Sequence, residues 1–187
     1  MLIVRKLKPG QTDQVKPLPD SVLVTEEALL KIGRLGFQLG YMPLPKAEWR
    51  SFPPVDYADP LIITQDEGSA FYAAFEGEKY IGCAAVTTLP SGWAEIIDLR
   101  VDAAHRRQGT GRMLLGHCER FAQKRGLHGL RIACTDTNPG MCQFCEQTGF
   151  TLQGLDRMAV SQSPAERMKP VSRRACLLFF YRTLQKG

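Results

Sequence analysis

The chain has 187 residues, 44% of them apolar and 23% charged, with a formal net charge of +5. That length supplies one full core and is short for two, and the mixture is that of an ordinary globular protein. No stretch approaches the ~20 apolar residues that cross a bilayer. The opening Met1-Leu2-Ile3-Val4-Arg5-Lys6 carries its charge after the apolar run and offers no small-residue cleavage site, which is not a secretory pattern. The expected address is the cytoplasm, with no membrane partner.

Leu2–Leu7 reads as a first strand. Thr25 is placed to cap a helix in which Ala28, Ile32, Leu35 and Leu39 recur at helical spacing, with Gly40 to end it, although Gly33 and Gly36 weaken such a helix. From Tyr41 to Pro60 five prolines interleave with Trp49, Phe52 and Tyr57. That composition excludes a helix and a central strand and predicts a covering arm. Ala70–Phe75 and Tyr80–Leu89 form a hairpin around Glu76-Gly77-Glu78, and Trp93–Val101 follows as a strand after Pro90-Ser91-Gly92. Gly109–Arg125 is an amphipathic helix with Leu114, Cys118, Phe121 and Ala122 on its inner face. Leu130–Thr135 is a strand, Pro139–Thr148 a short helix stopped by Gly149, and Thr151–Val160 and Ala175–Tyr181 two closing strands around a polar loop. The order predicts a mixed α/β sheet in one domain, 1–187.

Six cysteines without a secretory leader do not predict a disulfide framework. Cys142 and Cys145 sit three apart on one face of a predicted helix, with no second pair to complete a zinc site. His105, His117 and His128 lack ligand spacing as well, so no metal is expected. The basic excess fits either a solvated surface or a polyanionic ligand. No motif of an RNA binder accompanies it, and nucleic acid is not an expected partner.

The informative stretch is Arg106-Arg107-Gln108-Gly109-Thr110-Gly111-Arg112, between a strand and an amphipathic helix. A helix start exposes unpaired N–H groups at the positive end of the dipole, glycine lets an anion approach the backbone, and arginine adds charge. A nucleotide P-loop would close on Gly-Lys-Ser/Thr, but Gly111 is followed by Arg112-Met113. A dinucleotide fingerprint would need a third glycine where Leu114 stands.

With Arg106, Gly109 and Gly111 in register, the loop resembles the pyrophosphate signature of the GNAT acetyltransferases. Ile96–Val101 is similar to that family's fourth strand, and Asn138, Phe144, Gly149 and Phe150 to its second motif. Within the superfamily, Asp98, Gly126–Leu130, the Gly149-Phe150…Gly154…Asp156 run and the Leu178–Arg182 ending look like streptothricin acetyltransferases. The resemblance implies a GNAT fold: a central, mostly antiparallel sheet with a strand-helix-strand cofactor crossover and splayed central strands. It divides the domain into an acceptor-side helix and arm (1–66), an acetyl-CoA-binding core (70–150) and closing strands (151–187).

The implied co-substrate is acetyl-CoA. The backbone at Leu99 and Val101 would pair with its pantetheine arm, and Arg106, Arg107, Gln108, Gly109, Thr110, Gly111, Arg112 and Asn138 would hold the cofactor. The implied reaction is acetyl transfer to a small-molecule amine such as a streptothricin-like antibiotic. The alternatives are a protein N-terminal or lysine acetyltransferase, or an acetyl-CoA sensor without turnover. Nothing excludes a homodimer.

A protonated amine must lose a proton before it attacks a thioester. Histone-acetylating members carry the base six residues before the position of Val101, which here is Glu95. Strand alternation predicts Glu95 on one face with Ile97, Leu99 and Val101, and the rival Asp98 on the other. Backbone N–H groups near Leu99–Val101 would serve the oxyanion. The family's usual proton donor to the thiolate is a tyrosine, and its position here holds Cys145, with water or Tyr181 as substitutes. A net-positive chain that accepts a cationic amine should gather carboxylates at the acceptor mouth, and Asp56, Asp59, Asp66 and Glu67 are available in the arm.

Overall fold

The computed structural model describes residues 1–34, 36–160, 168 and 175–184. In chain order its elements are β1 (Leu2–Lys6), β2 (Ser21–Gly33), β3 (Gly36–Ser51), α1 (Pro60–Ile63), β4 (Ser69–Glu76), β5 (Lys79–Thr88), β6 (Ala94–Val101), α2 (Thr110–Lys124), β7 (Gly129–Thr135), α3 (Pro139–Gln147), β8 (Thr151–Asp156) and β9 (Leu177–Thr183). The chain divides into two units: residues 1–20, 53–131 and 183–187 in the first, and 21–52 and 132–182 in the second. The predicted polar loop between the closing strands lies mostly outside the described residues.

In the first unit the strand order is β1-β4-β5-β6, followed by the opening residues of β7. The pairs β1–β4, β4–β5 and β5–β6 are antiparallel. The two hairpins form because short turns with Gly77 and Gly92 at positive φ join runs of small and β-branched residues. Close approach of β5 to β6 requires Gly82, where a Cβ would lie 2.7 Å from the Arg100 carbonyl. One face of this sheet is covered by α2, through Leu114, Leu115, Cys118, Phe121 and Ala122, all buried. Three of these are large apolar side chains, each contributing about 2 kcal/mol by burial. On the opposite face Phe71, Ala73, Cys83 and Ala85 pack with Leu7, Ala58 and Ile63.

In the second unit the rest of β7 is followed by β9 and β8, and the β8–β9 pair is antiparallel. Beside it β2 and β3 make a separate two-stranded antiparallel ribbon. This corrects the predicted helix at Thr25–Leu39. The apolar positions that match helical spacing, Ala28 and Ile32, also share one strand face with Leu30, and they pair with Tyr41, Phe37 and Leu39. Gly33 pairs with Gly36, whose φ of +98° makes the tight turn that a helix would have to run through. Leu35 itself lies outside the described residues.

Pro43 and Pro45 lie inside β3, which a two-stranded ribbon tolerates because each strand has an open edge. The predicted arm therefore splits. Residues 41–51 are ribbon, whereas Asp56–Ala58 and α1 belong to the first unit, where Ala58 and Ile63 enter the core. Within the second unit α3 is clipped to the ribbon: Gln143 Nε2 donates to Glu26 Oε1 (2.5 Å) and Tyr41 Oη to Glu146 Oε2 (2.6 Å). Arg50 Nη1 donates to the Thr137 carbonyl at 2.8 Å, ahead of the same helix.

Candidate active site

The loop between β6 and α2 is pinned before it reaches its glycines. Asp102 N–H donates to the Ile81 carbonyl, and Ala103–His105 make one 3-10 turn. His105 presents Nδ1 to Asp102 Oδ2 (2.6 Å) and Nε2 to Glu76 Oε2 (3.3 Å). Arg106 Nε donates back to the Val101 carbonyl at 3.0 Å, and Gln108 Nε2 to that of Ala104 at 2.9 Å. Arg107 then adopts φ +61°, a left-handed conformation that costs a non-glycine residue energy, and Gly109 follows at φ +88°. These two left-handed residues on either side of Gln108 bend the backbone just ahead of α2.

Gly109 is the N-cap of α2, and no side chain caps this helix. No acidic residue stands in the first turn, where Arg112 is found. A Cβ built on Gly109 meets nothing within 4 Å. Thr110 is buried, and Arg107, Gln108 and Arg112 are exposed. The positive end of α2 is thus open and flanked by cations, so the predicted cofactor loop comes together in one short segment of the first unit.

The two carboxylates do not stand as alternation predicts. Between Ala85 and Val86 the β5–β6 register shifts: Val86 faces Ile96, Ala85 faces Asp98, and Ile97 is the extra residue of a bulge. Directly opposed residues share a face. Glu95 opposite Thr87, Asp98 opposite Ala85 and Arg100 opposite Cys83 therefore lie on one face, with Ile97, which packs on the core there. Leu99 and Val101, opposite Ala84 and Gly82, are on the α2 face. The correction is specific: Glu95 does share a face with Ile97, but it shares it also with Asp98 and not with Leu99 or Val101. A bulge adds one residue and so inverts the alternation beyond it.

Both carboxylates are partly buried and paired with arginine. Arg100 Nε donates to both oxygens of Asp98, at 2.8 and 3.0 Å, and Cys83 Sγ lies 3.7 Å away. Arg131 Nε on β7 lies 3.1 Å from Glu95 Oε1. Burial raises the pKa of Glu95 against the opposing pull of Arg131, and burial likewise raises that of Asp98 despite Arg100. Desolvation outweighs the ion pair in each, and a carboxylate moved upward is a better base near neutral pH. The Cys83 thiol is pushed up to about 12 by burial.

In the arm, Asp59 accepts from Leu61 N–H at 2.7 Å as the cap of α1. Asp66 accepts from Gly68 N–H at 2.9 Å and from the Ser69 hydroxyl, and those hydrogen bonds hold its carboxyl below the usual range. Asp56 and Glu67 are exposed.

Asn138 and Cys145 belong to the second unit. Asn138 Oδ1 accepts from Met141 N–H at 3.1 Å and so caps α3, with Pro139 at the first helical position. Cys145 is fully buried, as is Cys142, whose thiol lies 3.8 Å from that of Cys134. Sequence reasoning assigns no part to His105 or Arg131. For Arg131 the available signal is a cation alternating with the buried Leu130 and Ile132, and its partner depends on strand order.

The first unit thus sets an uncapped helix start after a bulged strand that carries two partly buried carboxylates. The profile of the acetyltransferase (GNAT) family matches residues 40–150, and the chain belongs to that family. It is an N-acetyltransferase with acetyl-CoA as donor. Over 158 residues it is 27% identical to the streptothricin acetyltransferase of Streptomyces lavendulae, covering 81% of this chain and 82% of that one. Over 99 residues it is 29% identical to the streptothricin acetyltransferase of Escherichia coli, covering 53% of this chain and 57% of that enzyme. Its fold is similar to that of a Bacillus anthracis protein assigned as a streptothricin acetyltransferase and solved with acetyl coenzyme A. The TM-score is 0.85 over 98% of this chain and 100% of that one, at 19% identity. Among the described residues, no helix is long and apolar enough to cross a membrane.

Proposed function

We propose that this chain transfers the acetyl group of acetyl-CoA to a primary amine of a small, streptothricin-like molecule in the cytoplasm. The observation that carries this reading is the similarity to the Streptomyces lavendulae streptothricin acetyltransferase, which extends over 81% of the chain rather than over the cofactor loop alone. In this reading the N–H groups opened by Arg107 and Gly109 at the start of α2 take the pyrophosphate, with Arg106, Gln108, Thr110, Gly111 and Arg112 around it. The β6 backbone at Leu99 and Val101 pairs with the pantetheine arm as an added strand would. Asn138, in the second unit, holds the start of α3.

Glu95 is the base. Its carboxylate takes the proton of the ammonium, the freed amine attacks the thioester carbonyl, and backbone N–H groups near the bulge stabilise the oxyanion. Asp98 shares the face but is held at both oxygens by Arg100, which favours Glu95 for proton transfer. Full burial supports Cys145 as a packing residue, leaving protonation of the thiolate to water. An acidic rim for a cationic acceptor draws on Asp56 and Glu67, since Asp59 and Asp66 are engaged in local caps.

The test is thiol release from acetyl-CoA with a panel of amines: a streptothricin, aminoglycosides, free lysine, and peptides with N-terminal or lysine amines. Turnover with a streptothricin at ten or more times the kcat/KM of any peptide is expected. Efficient peptide acetylation with no transfer to the antibiotics would assign the chain to protein substrates. Acetyl-CoA binding with no turnover on any amine would make it a sensor.

A further inference from the structure

Glu95 does not stand on its strand alone. Beside β6 in the first unit, β7 brings Arg131 to it, and the pair has side chains only 16% and 25% exposed. We infer that Arg131 is a positioning residue for acetyl transfer: its guanidinium holds the Glu95 carboxylate in place on a partly desolvated strand face. The inference rests on the reading of Glu95 as the base and adds to it the group that sets the base's working range.

The chemistry of the face leaves that part to Arg131. The other titratable groups on it are Asp98 and Arg100 on β6 and Cys83 and Tyr80 on β5, while Arg5 comes from β1. Asp13, Lys16, Asp56 and Asp59 belong to the segments whose apolar residues pack over the same core. Asp98 and Arg100 answer one another at 2.8 and 3.0 Å. Of all these groups Arg131 is the one whose charge acts on Glu95, and it acts against the burial that favours the protonated acid. A guanidinium has no accessible neutral form, so its pull is constant across the working pH range. Burial and Arg131 thus act on the proton affinity of Glu95 in opposite directions.

The sign of the effect follows. With Arg131 neutralised, burial acts unopposed, Glu95 holds its proton to higher pH, and the acidic limb of the pH–rate profile moves upward. An opposite charge at this distance is worth on the order of one to three units of pKa. The experiment measures kcat/KM for the amine against pH in the wild-type enzyme and in Arg131→Gln, Arg131→Met, Arg131→Lys and Glu95→Gln, with melting curves to establish folding. In both neutral variants the limb is expected to rise by about one unit or more while the KM for acetyl-CoA is unchanged. Arg131→Lys keeps the charge and should keep the limb close to its wild-type position. Glu95→Gln should abolish the limb. A limb lost in Glu95→Gln but unmoved in the folded neutral variants would overturn the inference alone. Equal loss of rate at every pH in those variants would do the same, since it reports a structural part only. A limb that survives Glu95→Gln removes the base reading and this inference with it.

Discussion

Two helices in this chain begin in opposite ways. The start of α3 is closed: Asn138 Oδ1 takes the Met141 N–H and Pro139 occupies the first position, where no donor is needed. The start of α2 is open. It has a glycine at φ +88° where a capping side chain would sit, no acidic residue in its first turn, and arginines on both sides of the break. Each helix has N–H groups that its own turns cannot satisfy. One answers them from its own sequence, and the other leaves them to solvent or to an anion. Arg106 and Gln108 donate to backbone carbonyls nearby, so these two side chains tie the loop to itself. The difference teaches how a helix start that caps itself is distinguished, at the level of single residues, from one that leaves its N–H groups open. The closed end spends its polar side chain on the backbone, whereas the open end spends its side chains on holding the backbone exposed.

The comparison is broken most severely at Gly109. Gly109→Asp places a carboxylate where the diphosphate charge is expected and pushes a non-glycine residue into left-handed φ. Acetyl-CoA affinity by calorimetry should fall at least tenfold, or about 1.4 kcal/mol. The fold should survive, because a Cβ at that position meets open space. Unchanged affinity would remove this loop from the cofactor site.

The complementary change at the closed helix should show the reverse signature. Asn138→Ala removes the cap of α3 and should cost about 1 kcal/mol of stability in denaturant unfolding. Its effect on acetyl-CoA affinity should be much smaller than that of Gly109→Asp. A drop of equal size would mean that Asn138 touches the cofactor directly.

The smallest effect on transfer is expected further along the same helix. Cys145→Ser should leave kcat and the KM for acetyl-CoA close to wild type while lowering the melting temperature, since it puts a hydroxyl where a fully buried thiol packs. Slower turnover at unchanged affinity, in a variant that still folds, would instead make Cys145 the proton donor.

Local chemistry made the proposed cofactor loop legible as an uncapped helix start. Its glycines, its arginines and the amphipathic run that follows lie within one short segment, and none of them depends on a distant partner. The same holds for the hairpin at 69–88, for the start and stop of α3 and for the first strand, all of which lie within a residue or two of where the sequence places them.

The ribbon and the carboxylate face were settled by pairing. Ala28 and Ile32 satisfy a helical period and a strand period alike, and residues 36–51, prolines included, decide between them by hydrogen-bonding to residues 21–33. Strand alternation put Glu95 and Asp98 on opposite faces because nothing in the letters of β6 marks Ile97 as a bulge. The extra residue exists only in relation to β5, which is one residue shorter over the same pairing. Arg131 is more distant still in kind: its partner is fixed by which strand lies next to β6, a property of topology. The sequence determined the elements whose energies are local, the caps, turns and the anion-ready helix start. Register, bulge and strand order are relations between segments far apart in the chain, and only the tertiary structure decides them, because a one-residue shift in pairing moves every side chain beyond it to the other face.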